Sequence, residues 1–140
     1  MAHGAPGIGI ARINLLKAGI ETDEILEDLH VALRTTLDTG LTGDFPLISG
    51  DFGRLELPLL YAETVGTGYW PATQDLIAGA LANVELHTAT LSAGRPAQLG
   101  LYTGLTGVGY QCLRIARNTE TPSIIGLDLA PACRPLPWTA

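Results

Sequence analysis

Three stretches of this chain repeat one pattern, and the repeat constrains the fold more than any other feature. Gly4 to Leu16 reads GAPGIGIARINLL, Gly50 to Ala62 reads GDFGRLELPLLYA, and Gly104 to Ala116 reads GLTGVGYQCLRIA. Each is Gly-x-x-Gly followed by an apolar run suited to a helix. The leading glycines stand roughly 50 residues apart, the length of a helical hairpin with its loops, and self-similarity at such a period marks stacked repeats. The fold class that follows is all-α, about five helices in successive hairpins.

The intervening segments supply the second helix of each unit. From Thr22 to Gly40, Ile25, Leu29, Leu33 and Leu37 recur at every fourth position and make one buried face, with Gly40 as the C′ residue. A second long helix is predicted from Pro71 to Leu91, where Pro71 suits the first turn and Leu76, Ile77, Ala80, Leu81 and Val84 share a side. Pro58 interrupts the apolar run RLELPLLYA, where a proline costs about 3 kcal/mol, so the helix is expected to kink or restart there. Pro122 to Leu129 reads as an extended segment packing back across the helices. Residues 1–130 form one domain and residues 131–140 a proline-rich tail.

Glycine loops also hold phosphates, but this reading fails on its own terms. A dinucleotide loop needs a preceding strand and a third glycine, whereas Gly7-Ile8-Gly9 starts near the terminus and Arg12 stands at the third position. No Gly-Lys-Ser/Thr follows any of the three. The net charge of −6, with 8 scattered basic residues, excludes a nucleic-acid partner. No apolar run is long enough to span a membrane and no secretory signal is present, so no membrane partner and a cytoplasmic location are expected. Cys112 and Cys133 lack metal-ligand spacing and read as reduced thiols. Glycines leading an apolar helix let helix ends approach closely, and converging helix N-termini also suit an anion or thiolate.

Taken in order, HGAPGIGIARI, LISGDFGRLELPLL and GLYTGLTGVGYQCLRIA with TPSIIGLDL resemble the successive C-terminal motifs of the lanthionine synthetase C-like family, especially the cyclase domain of class II lanthipeptide synthetases. The resemblance covers nearly the whole chain. It implies an α/α toroid of paired inner and outer helices, of which this chain matches about three hairpin repeats with glycine-led inner helices. It also implies a zinc ion that binds a precursor-peptide cysteine as thiolate. That sulfur adds to a dehydroalanine or dehydrobutyrine and closes a thioether ring, while an acid or base handles the proton on the enolate.

Carried over residue by residue, the family's zinc ligands fall on Ala2, Ile48 and Ser49. Alanine and isoleucine have no donor atom, and a neutral hydroxyl is a poor one. The family's His-Asp-Gly motif has no counterpart in this chain. No catalytic residue and no cofactor are therefore expected. The chain reads as a truncated or degenerate relative of the zinc-dependent cyclases, inactive alone. The alternatives are a cyclase subunit completed by a partner that brings the missing helices and ligands, or a non-catalytic peptide-binding module.

The candidate remnant pocket comprises His3, Ser49, Asp51 and Arg54, with a precursor peptide as its partner. His3 is either a contact or an exposed terminal side chain. Asp51 is expected to cap its own helix or complement the helix dipole. Ser49 lacks a His/Asp pattern for nucleophilic catalysis. His30 and His87 fall on the longer helices and read as positions without a role. Ile8, Ile10, Ile13, Leu15 and Leu16 make the first helix apolar nearly all round, which predicts a homo-oligomer or association with another helical chain.

Overall fold

The computed structural model describes residues 4–91, 99–117 and 121–128. Among these residues there are six helices: α1 (Ala5–Lys17), α2 (Asp23–Thr39), α3 (Asp51–Arg54), α4 (Glu56–Thr64), α5 (Trp70–Leu91) and α6 (Leu105–Ala116). No strand occurs among the described residues. The all-α class expected from the repeat is the one observed.

The caps explain where the elements begin and end. Thr22 precedes α2 in an extended conformation, and its hydroxyl accepts from the Ile25 N–H at 3.3 Å. Asp23 and Glu24 then complement the positive end of the helix. Gly40 stops α2 at φ 66°, a conformation that other residues adopt at a cost. α1 opens on Gly4 with Pro6 in its first turn, where a missing N–H leaves no bond unmade. The short link from Ala18 to Thr22 folds α1 and α2 into a hairpin.

α4 is the buried centre. Leu57, Leu60 and Tyr61 pack with Ile10 and Ile13 of α1 and Leu29, Ala32 and Leu33 of α2. Leu59 of the same helix joins Phe52 of α3, Leu55, Leu76 and Ala80 of α5, and Val108 of α6 in a second cluster. Two apolar layers therefore meet on one short helix. α1 is less uniformly apolar in its surroundings than in its sequence, since Ile10 and Ile13 are buried and Leu16 packs on the first cluster, whereas Ile8 is half exposed.

Two local expectations are corrected. The interruption near Pro58 falls at Leu55, which separates α3 from α4 and brings the number of helices to six. A proline lacks the N–H that would bond the carbonyl four residues earlier, and its ring presses on that carbonyl; here that residue is Arg54, and the helix breaks immediately after it. Pro58 then occupies the first turn of α4, where a missing N–H leaves no bond unmade. The segment after Pro122 is a turn rather than extended: the Ser123 hydroxyl accepts from the Gly126 N–H at 2.6 Å, and the Asp128 N–H donates to the Ser123 carbonyl at 3.0 Å. It does pack back on the helices, through Ile125 against the first cluster and Asp128 against Lys17. The tail from residue 131 lies outside the described residues.

Candidate functional site

The three glycine-led helices converge. The Ile48 N–H, just before α3, donates to the Tyr102 carbonyl, just before α6, at 3.0 Å. Gly107 in the first turn of α6 lies so close to the preceding loop that a Cβ there would stand 1.9 Å from the Leu101 carbonyl oxygen. Gly50 is equally confined, since a Cβ would stand 2.4 Å from the Asp44 carbonyl oxygen. Close approach of backbones is thus the physical reason for glycine at these two leads.

Two depressions lie where these segments meet. An apolar groove of about 440 Å³ is lined by Gly7 and Ile10 of α1, Ile48, Tyr102 and the turn from Ile124 to Leu127. Leu127 holds the left-handed conformation at φ 56° while its side chain is 78% exposed, so an apolar residue is kept in a disfavoured backbone state at the groove's rim. A second, more polar pocket of about 280 Å³ is lined by Gly4, Ala5 and Pro6, by Thr35, Thr36 and Thr39 of α2, and by Ser49 and Arg54.

Of the residues singled out in the sequence, Ser49 and Arg54 therefore share one wall. Arg54 is half-buried, and its Nη1 donates to the Gly40 carbonyl at 3.0 Å. Asp51 stands in the first turn of α3, the position that the dipole reading requires, but its side chain makes no capping hydrogen bond. It is 1% exposed and turns its carboxylate away, accepting from the Thr42 N–H at 2.7 Å, the Thr42 hydroxyl at 2.9 Å and the Gly43 N–H at 2.8 Å. Three donors from one loop engage the carboxylate, and Asp51 serves to hold that loop at Thr42 and Gly43. His3 and Ala2 lie outside the described residues.

The chemistry available at these positions does not suit zinc. Ile48 offers an alkyl chain to the groove and Ser49 a neutral hydroxyl to the pocket, whereas zinc takes thiolate, imidazole or carboxylate. Among the described residues no three His, Cys, Asp or Glu side chains come together as a metal-binding group. Cys112 is a free thiol whose pKa burial pushes up, so it stays protonated and unreactive near neutral pH.

Sequence reading missed one buried polar network. The Arg114 Nε donates to Glu56 at 2.7 Å, Nη2 to Glu63 at 2.9 Å and Nη1 to the Thr121 carbonyl at 2.6 Å, while Gln111 donates to the other Glu56 oxygen at 2.7 Å. The available signal was the polar pair Gln111 and Arg114, three residues apart on an apolar helix, facing Glu56 and Glu63, seven apart on another. Burial raises the Glu63 pKa, against the opposing pull of Arg114. His30, read as a position without a role, places Nε2 3.0 Å from the Tyr61 hydroxyl, whose pKa rises through burial and then through neighbouring Tyr69. The His87 side chain lies outside the described residues.

No helix among the described residues is long and apolar enough to cross a membrane. No curated protein and no solved structure matches the chain. The family model described as lanthionine synthetase C-like protein matches residues 2–125, and the chain, with its glycine-led helices converging on one site, belongs to that family.

Proposed function

We propose that this chain is a degenerate lanthionine synthetase C-like protein that binds peptide and does not perform zinc-dependent thioether formation on its own. The observation that carries this reading is the pair Ile48 and Ser49, which stands where the family resemblance requires two metal ligands, with Ile48 lining one depression and Ser49 the other. Without a soft metal a cysteine thiol has a pKa near 8.5 and is mostly protonated at neutral pH. Ring closure then loses its nucleophile, while the cleft that accepted the peptide persists. In this reading the helices form an arc of the family's α/α toroid, and the groove beside Ile48 and Tyr102 takes apolar side chains of a precursor peptide.

Metal analysis of the purified chain after gel filtration tests the reading. Zinc well below one equivalent is expected, together with no loss of alkylatable thiol from a short peptide containing cysteine and dehydroalanine. One tightly held zinc per chain, or closure of the thioether ring, overturns it.

A second reading is favoured by one feature of α6. Leu105, Gly109 and Leu113 recur at every fourth position on its exposed face, a surface suited to another helix. A partner seated there and supplying further repeats and ligands would make the chain one subunit of a working cyclase. Activity that appears only on mixing with such a partner distinguishes the two readings.

A further inference from the structure

We propose that the pocket between the start of α1, the last turns of α2 and α3 binds a carboxylate group of a peptide, with Arg54 as its counter-ion. The inference rests on the peptide-binding reading and names a group that the peptide must carry.

Arg12 pairs with Asp28 at 2.8 Å, Lys17 pairs with Asp128, and Arg114 pairs with Glu56 and Glu63. Arg54 is half-buried too, yet it forms no ion pair among the described residues and bonds only the Gly40 carbonyl. The two carboxylates nearest in sequence are already engaged, Glu56 by Arg114 and Gln111 and Asp51 by the Thr42 and Gly43 donors. A guanidinium partly withdrawn from water without an anion is incompletely compensated. An oxyanion entering the pocket beside it supplies what the described residues do not, and none of the described residues that line the pocket is acidic.

The hydroxyls select the class of anion. Thr35, Thr36 and Thr39 each donate to the carbonyl four residues earlier, at 2.8, 2.7 and 2.6 Å, so their remaining capacity is as acceptors. Arg54 and the exposed Ser49 hydroxyl are the side-chain donors. A wall that both donates and accepts fits a carboxylate carried beside an N–H, as in a peptide. The volume of about 280 Å³ admits a carboxylate with the residue bearing it, just below the about 300–1,000 Å³ of whole-ligand sites.

Nitrogen-15 NMR titration of the full chain provides the test, followed at the Arg54 side-chain Nε–H and the Ser49 amide. The probes are acetyl-trialanine with a free C-terminal carboxylate, the same peptide amidated, an amidated acetyl-Ala-Glu-Ala, and inorganic phosphate. Saturable shifts are expected with a carboxylate peptide and not with amidated trialanine; which carboxylate peptide binds tells a chain terminus from an acidic side chain. Arg54→Lys, which keeps a charge and a donor for Gly40, is expected to weaken binding at least about tenfold through loss of the planar fork. Ser49→Ala removes the second donor and should weaken it several-fold without touching the Gly40 bond. Shifts at Ile48 and Tyr102 with none at Arg54 would leave peptide binding intact and overturn the carboxylate assignment. Phosphate binding as tightly as peptide overturns the class, and no shift with any probe overturns both.

Discussion

Arg114 and Glu56 meet at 2.7 Å with both side chains 1% exposed, joining α6 to α4 across the core. Gln111, Glu63 and the Thr121 carbonyl complete the hydrogen bonding, so the pair sits in a satisfied network rather than as an isolated ion pair. Removing Arg114 strips the buried Glu56 of its counter-ion, which costs about 3–5 kcal/mol. Arg114→Met is expected to lose that much stability in urea titration, and Glu56→Leu less, because Arg114 keeps its pairing with Glu63. The double variant should lose clearly less than the sum, because neither uncompensated charge remains.

Stability should depend on pH through two carboxyls of opposite sign. Burial works to raise the Asp128 pKa, but hydrogen bonds from Lys17 and the Ser123 N–H, with the positive charges of Lys17 and Arg114, bring it below its ordinary value of 3.8. Its contribution is present above the unfolded value and is lost as pH falls through the folded one. Asp128→Asn should therefore be less stable than the wild type at neutral pH, with a deficit that shrinks below pH 3.8.

Glu63 behaves oppositely, since burial raises its pKa above the ordinary 4.5, helped by Glu56 and Asp128 and resisted by Arg114 and Lys17. The folded chain holds that proton more tightly than the unfolded chain, and the associated stability fades as pH rises through the folded value. Glu63→Gln should gain on the wild type as pH rises from 4.5 to neutrality. Urea midpoints measured across this range check both carboxyls.

Glycines of α6 separate close approach from conformational cost. A Cβ at Gly107 meets the Leu101 carbonyl, and one at Gly50 meets the Asp44 carbonyl, so alanine at either position forces backbone aside at about 1–3 kcal/mol. Gly109 lies in the same helix with nothing within 4 Å of a Cβ. Gly109→Ala should stabilise by about 0.5–1 kcal/mol, since it reduces the freedom lost on folding. Thermal melts of the three variants should move in these opposite directions.

What was legible in the sequence was what neighbours in the chain decide. Thr22, Gly40 and the four-residue recurrence from Ile25 to Leu37 delimit α2 within a residue at each end, because caps and periodicity are local. The glycine leads likewise mark where α1, α3 and α6 come together. Partnerships across the fold were not legible. Arg114 reads as one polar residue in an apolar helix until Glu56, 58 residues away, is brought against it. Asp51 reads as a helix cap until the 42–43 loop presents three donors to it. Local spacing carries no information about which loop folds over a carboxylate.

The last prediction concerns the outer face of α6. Val108, Gln111 and Arg114 turn inward, while Leu105 and Leu113 are 40% and 58% exposed with Gly109 between them. Two leucines flanking a glycine at four-residue intervals let a second helix approach closely, and nothing among the described residues stands over Gly109 to prevent it. Light scattering at micromolar concentration is expected to report a mass above that of one chain. Leu113→Glu places a charge in the middle of such a contact and should return the mass toward the monomer, with thermal stability changed by no more than about 0.5 kcal/mol because the residue is exposed in the single chain. Gly109→Ala should weaken association while it stabilises the helix, a combination that a purely intramolecular role for Gly109 does not produce. A wild-type chain that stays monomeric at every concentration measured would mean that this face meets water alone.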